Sequence, residues 1–453
     1  MQEKYLVLIA LLFTPVAEVT EKLQALYDTP KPIIDIRQTT DVVYPYSLKG
    51  KYGFTTRSGG VIVNPKYDYA DSLREEMALV VLKKKWGFVN KSGNEVVQLN
   101  YEEAHSFSEN LAAVSLKKKW GFIDNTGQKV VEFQYDYVGK FHDGLAPVKL
   151  KGKYGYINKK GMMVIATKYD EAQNFSEGVA LISVGGMYGF IDKTGKQIAA
   201  PKYDFAGDFK DGVAVVAKMD NETGMNKYGF INKTGKEITT LKYDNALSFS
   251  EGFALVSDEN NKFGFIDKTG KEVIALKYDY AASFSNGLAP VSINGKYGFI
   301  DHKGGQAIPI KYDEVASFSE GLARVKVGDK FGFVNQQGKE VIAIKYTKAD
   351  SFSEGLAVVA SGGKLDGNIL SGGKFGHVDY TGREVVPVKY EQSESFSEGL
   401  AVVKLGGKFG YVDRQGNEII ACTFEGAGAF NNGVAEVVTK NGQRKVDKEG
   451  KEN

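Results

Sequence analysis

An aromatic residue followed by glycine recurs eleven times along the chain. The pairs are Tyr52-Gly53, Trp86-Gly87, Trp120-Gly121, Tyr154-Gly155, Tyr188-Gly189, Tyr228-Gly229, Phe263-Gly264, Tyr297-Gly298, Phe331-Gly332, Phe375-Gly376 and Phe409-Gly410. Successive pairs stand 34, 34, 34, 34, 40, 35, 34, 34, 44 and 34 residues apart, a period of 34 broken by insertions of 6, 1 and 10 residues. A fixed period of this length means one small unit copied along the chain, each copy burying its apolar surface against the next. A degenerate twelfth copy follows Phe409 by 34 residues, where Gln443-Arg444-Lys445-Val446-Asp447 replaces the aromatic–Gly core, and it reads as a capping repeat.

Helical and β repeats both occur near this period, so residue patterning decides between them. In Leu322-Ala323-Arg324-Val325-Lys326-Val327 apolar and basic residues alternate after the leading Leu, which predicts a strand with one buried face. Two-residue links such as Lys151-Gly152, Asn294-Gly295 and Gly406-Gly407 follow, suited to positive φ and tight hairpins. A second strand, Lys330-Phe331-Gly332-Phe333-Val334, carries the aromatic–Gly pair and ends at an Asp/Asn-x-x-Gly turn such as Asp267-Lys268-Thr269-Gly270. A third strand, such as Glu272 to Tyr278, leads into the loop Tyr-Asp-x-Ala-x-x-Phe-Ser-Glu-Gly, as in Tyr169 to Gly178. The expected fold is all-β: an elongated solenoid of about twelve three-stranded antiparallel repeats over residues 41–453. Propeller-like closure is the alternative, set second because propeller blades carry four strands. Glycine at the centre of every second strand implies close approach by another group, expected to be an aromatic ring of the neighbouring repeat.

Composition agrees with this reading. Glycine numbers 53 of 453 residues, Tyr and Phe together 52 and Pro only 10, as suits many strands joined by tight turns. Lys plus Arg (58) nearly balances Asp plus Glu (56), which argues against a dedicated polyanion binder. The runs Lys83-Lys84-Lys85-Trp86 and Lys117-Lys118-Lys119-Trp120 are explained by lysines at turns and sheet edges, where they discourage aggregation. Only seven of the 58 basic residues are Arg, so no specific nucleic-acid partner is expected. One cysteine excludes an internal disulfide.

Lys-Trp-Gly-Phe at residues 85–88 and again at 119–122, with Lys-Tyr-Gly-Phe variants elsewhere, resembles the WG-repeat (KWG-repeat) family of bacterial proteins. The resemblance runs from about Asp41 onward and implies no catalytic residue, because the family has none assigned. Ahead of it, the apolar run Tyr5 to Phe13 follows a single Lys and is too short to span a bilayer. Residues 1–17 are read as a signal peptide and 18–40 as a lead-in segment, with a capping element as the other reading of the first stretch. The expected location is extracytoplasmic, periplasmic or secreted, with a cytoplasmic scaffold as the alternative. No transmembrane segment is expected.

A search for chemistry finds no catalytic constellation, no cofactor motif and no metal-ligand spacing. His105, His142, His302 and His377 occupy unrelated repeat positions, and Cys422 replaces Leu276 or Ile344 as a packed residue. Asp and Glu recur at turn positions where backbone capping accounts for them. The insertions Met219 to Asn226 and Ser361 to Gly372 both fall in the hairpin between the first and second strands, marking either one edge where a partner docks or ordinary loop drift.

One position resists a packing explanation. The residue two after the conserved Tyr reads Tyr69, Glu103, Tyr137, Glu171, Phe205, Asn245, Tyr280, Glu314, Lys348, Gln392. Packing common to all repeats would not alternate. Tyr69, Tyr137, Phe205 and Tyr280 are therefore the candidate ligand-binding residues, a surface for an extended protein or glycan. If successive units turn by half a revolution, rings and carboxylates take opposite faces; if they turn little, both sets share one groove.

Overall fold

The structure is a computed structural model and describes residues 42–452, except 49, 57–59, 368 and 432. The expected signal peptide and lead-in segment lie outside the described residues. No helix occurs among the described residues, so none is long and apolar enough to cross a membrane. Residues 43–452 form twelve small antiparallel sheets in sequence order, nine of four strands and three of three, with a separate two-stranded hairpin in the tenth.

The expected three-stranded repeat is corrected to a four-stranded sheet. Within the loop after each Tyr-Asp, the next two residues form a short strand, Tyr69–Ala70 in the second sheet, which pairs with Val81 and Val80 of the strand Met77–Leu82. The strands Lys85–Asn90 and Glu95–Tyr101 complete that sheet in simple order. Four strands in a meander make a propeller blade, so the architecture is the propeller-like alternative, and the solenoid description does not hold. The fourth strand is only two residues long, too short for any periodicity to announce it.

Blade-on-blade stacking also changes the burial of the first strand. Leu111–Leu116 is buried at five successive positions, both faces being covered by neighbouring sheets, where the alternating pattern predicts one. The apolar clusters join consecutive sheets: Phe122 and Val131 of the third pack with Val138, Phe141 and Val148 of the fourth. The lock between sheets is an aromatic pair. Phe88 meets Phe107 at 4.8 Å, and the same contact recurs as Phe122–Phe141, Phe190–Phe209 and Phe333–Phe352, so the Phe of the Phe-Ser-Glu-Gly loop plugs onto the sheet before it. Edge-on ring pairs of this kind contribute about 0.5–1.5 kcal/mol each beyond area burial.

The glycine of the aromatic–Gly pair is required for a reason other than the expected ring. The third strand bulges there: Tyr297 pairs with Tyr312, but Phe299 pairs with Ile308, so extra residues of the third strand stand opposite Gly298. A Cβ on Gly298 would lie 2.6 Å from the Ile308 carbonyl oxygen and 2.8 Å from the Ile310 Cα. The close approach is backbone of the same repeat, folded over the glycine by the bulge. The hairpin links take the left-handed conformation, with φ 50° and 61° at Lys83 and Lys84 and 52° and 82° at Lys151 and Gly152, the type I′ geometry that matches strand twist.

Candidate functional site: a row of rings along the sheets

Tyr69, Tyr137, Phe205 and Tyr280 each open the short strand of their sheet, in the second, fourth, sixth and eighth sheets. They are 41–44% exposed, while the residue after each is buried. Strand alternation explains the split: Ala70 or Val138 turns inward and the ring before it outward.

These rings do not stand alone. Tyr69 lies between Tyr52 and Trp86, with ring centroids at 5.9 and 6.4 Å. Tyr137 touches Trp120 and Tyr154 at 6.3 and 6.2 Å, Phe205 touches Tyr228 at 6.0 Å, and Tyr280 touches Tyr297 at 5.9 Å. The aromatics of six aromatic–Gly pairs, Tyr52, Trp86, Trp120, Tyr154, Tyr228 and Tyr297, thus join the same row. The signal was available as a half-period: 52, 69, 86, 103, 120, 137 and 154 are spaced by 17 residues. Glu103 and Glu171 fill the intervening places, and Tyr188 donates its hydroxyl proton to Glu171 Oε2 at 3.3 Å.

Consecutive sheets place this position on one side. Tyr69 and Trp86 of the second sheet line a cavity of about 480 Å³ with Ala104 and His105 of the third. A second cavity of about 410 Å³ runs from His105 and Tyr137 to Gln173 and Asn174 of the fifth sheet, and Lys140 borders both. His105 and Lys140, which line both cavities, join the surroundings of Tyr69 to those of Tyr137. Both of the chain's tryptophans fall in this stretch. His105 packs 4.9 Å from Trp120. Burial, reinforced by the Lys140 ammonium, holds its imidazole below the ordinary range, so it is neutral at pH 7.

The remaining titratable residues are spent on the fold. Asp124 Oδ1 accepts the N–H groups of Thr126 and Gln128, and the Thr126 hydroxyl, within its turn. Asp68, Asp170, Asp279 and Asp313 each accept a hairpin-turn N–H and pair with the lysine 17 residues before, as Asp136 pairs with Lys119 at 2.6 Å. Asp204 has Met187 at that place and accepts the Met219 N–H. His302 contacts Glu251 Oε2 at 3.0 Å, His377 is buried, and Cys422 is half-buried beside Val386 and Tyr390. Among the described residues no group of three or more His, Cys, Asp and Glu could hold a metal ion.

Stacked β-meander blades bearing an exposed aromatic row define a propeller-like repeat protein. The chain belongs to the family of WG-containing repeats, whose model matches eleven successive copies over residues 52–221, 228–364 and 375–443. No curated protein matches it. Similar solved structures include a eukaryotic initiation factor, 12% identical over 76% of this chain and 94% of that one, with a TM-score of 0.38. BamB from Moraxella catarrhalis is 12% identical over 57% and 96%, TM-score 0.29, and the WD40 β-propeller domain of Doa1 is 13% identical over 48% and 86%, TM-score 0.24. Superpositions this loose carry no argument about function.

Proposed function

We propose that this protein is a non-catalytic binding scaffold whose ring row is the contact surface for an extended peptide segment of a protein partner. The observation that carries this reading is the regular exposure of Tyr69, Tyr137, Phe205 and Tyr280 at the start of the short strand in alternate sheets. Rigid aromatic side chains offer large contact area at little entropic cost. A peptide fits better than the glycan because neighbouring rings are tilted at 50–71° rather than laid flat. Tilted pairs form clefts that accept an inserted side chain, whereas a sugar stacks on an open flat face.

The test is a displayed library of unstructured 16-residue peptides selected against the full chain. Selected peptides should lose binding at least tenfold to the variant carrying Tyr69→Ser, Tyr137→Ser, Phe205→Ser and Tyr280→Ser, with the melting temperature nearly unchanged. A large fall in melting temperature would place the rings in the core, and selection of glycans but no peptide would return the partner to the sugar class.

The location proposed is extracytoplasmic, supported by the apolar run Tyr5 to Phe13. Protein purified from its native host should lack roughly its first 17 residues by mass spectrometry. Intact Met1 would overturn this.

A further inference from the structure

The ten-residue insertion in the tenth repeat has a structure of its own. It forms a hairpin of Lys364–Asp366 with Ile369–Ser371, inserted between the strands Ala357–Ser361 and Lys374–Val378. Leu365 packs against the apolar cluster that contains Phe331 and Phe352. The hairpin is thereby held over the ring row, and beneath it lies a cavity of about 340 Å³ spanning the ninth and tenth sheets.

That cavity gathers three cations, where Lys140 is the one lysine on the two cavities described above. Arg324, Lys326 and Lys348 line it. Arg324 occupies a place filled by Leu79, Ala113, Pro147, Leu181, Val215 and Leu255 in earlier repeats. It is already committed: its guanidinium donates to the Ala349 carbonyl at 2.8 Å and to Glu314. The two lysines are not. Lys326 Nζ sits 5.2 Å from the Phe331 ring centroid and Lys348 Nζ 6.0 Å from that of Phe375, and neither has an ion-pair partner among the described residues. Glu314, opposite Lys326 in the strand register, is taken by Arg324, and Asp313, bound to Lys296 and to the Gly328 N–H, lies within electrostatic reach of Lys326. Asp350 stands at the cavity wall as an acceptor.

We propose that this cavity binds a carboxylate, and that it anchors an acidic residue of the extended peptide invoked above, a reading on which this one rests. The cavity lining holds three cations, Arg324, Lys326 and Lys348, against two carboxylates, Glu314 and Asp350, so one positive charge is left over, and one further carboxylate answers it with charge-assisted hydrogen bonds. The overhanging hairpin keeps water from one side, which strengthens that attraction. Asp350 is placed to accept a backbone N–H of the same peptide.

The experiment measures fluorescence anisotropy of labelled hexaglutamate against labelled hexaglutamine on the full chain. Hexaglutamate should bind at least tenfold tighter, with affinity falling as salt rises. Lys326→Gln with Lys348→Gln should remove that preference, Lys326→Arg with Lys348→Arg should keep it, and the same charge change at exposed Lys303 and Lys339 should leave it intact. Amidating the peptide C-terminus separates the two sources of carboxylate: unchanged binding assigns a side chain, and lost binding assigns the chain terminus. A hexapeptide spans at most about 20 Å. The variant Tyr69→Ser, Tyr137→Ser, Phe205→Ser, altered in the second, fourth and sixth sheets, should therefore still bind hexaglutamate even where it loses library peptides. Equal binding of the two hexapeptides, an unchanged affinity in the Lys→Gln pair, or an equal loss in the Lys303 and Lys339 control would overturn the proposal.

Discussion

His377 occupies the inter-sheet position that Phe88, Phe122 and Phe190 hold in other repeats, and it meets Phe396 at 4.8 Å as they meet their loop phenylalanines. Its ring also reaches the Glu394 carbonyl at 2.9 Å through Nε2, the contact that Tyr156 and Tyr411 make by hydroxyl to Gln173 and Gly428. Donation from Nε2 leaves Nδ1 as a buried acceptor with no partner. Burial lowers the pKa to about 4. An unfolded histidine takes its proton near pH 6.5. Stability is thus complete above about pH 6.5 and falls until the folded imidazole protonates near pH 4, a loss of about 3 kcal/mol from this residue. His377→Phe should flatten the dependence over that window, measured as amide exchange in the tenth and eleventh sheets across a pH series. An unchanged slope would show that His377 is hydrated in the native state. Nothing local in Lys-Phe-Gly-His distinguishes a buried imidazole from an exposed one; the repeat register does, because it aligns His377 with core rings.

The turns show how one repeat acts on the next. Ser176 and Val179 bond each other's backbone around Glu177 and Gly178, both at positive φ. The Glu177 carboxylate then accepts the N–H groups of Asp211 and Gly212, in the equivalent turn of the following sheet, at 2.8 and 3.0 Å. Glu75 holds Glu109 and Asn110 in the same way, and Glu354 holds Glu398 and Gly399, making a recurrent carboxylate ladder between turns. The Lys233 ammonium and these amides keep Glu177 below the ordinary carboxylate range. A lowered folded pKa means the contribution is present above the unfolded value of about 4.3 and disappears as pH falls through the folded one. Glu177→Gln should speed exchange of the Asp211 and Gly212 amides at pH 7 and make no difference below the folded pKa. The Ser-Glu-Gly spelling identifies a turn, but its carboxylate partner lies 34 residues away and is set by stacking.

At the scale of the whole molecule, each sheet depends chiefly on the two beside it, because the apolar clusters join neighbours. A lesion should therefore stay local. Gly298→Val drives a side chain into the Ile308 to Ile310 backbone and should cost roughly 2–4 kcal/mol. Hydrogen exchange should report that loss in the seventh to ninth sheets and leave the second to fourth as they were. Loss of protection across all twelve sheets would mean that the array unfolds as one unit.

The chain by itself determined its period, its three long strands per repeat, its I′ hairpins and the exposure of Tyr69, Tyr137, Phe205 and Tyr280. These are properties of short stretches: side chains alternate across a strand, and positive φ selects Gly, Asn or a tolerated Lys. Tertiary structure decided the rest. Tyr69–Ala70 becomes a strand only because Val80 and Val81 pair with it, and a two-residue strand has no periodicity to detect. Gly298 is needed because a bulge carries the next strand over it; Tyr52 joins the ring row because adjacent sheets stack, and Trp86 and Tyr154 join it because strand register places them two strands across from Tyr69 and Tyr137 in the same sheets. The insertion reads as loop drift until Leu365 is seen seated on the Phe331 cluster above a cavity lined by Arg324, Lys326 and Lys348. Each of these depends on which residues of other strands stand nearby, a quantity that folding fixes and that no local pattern encodes.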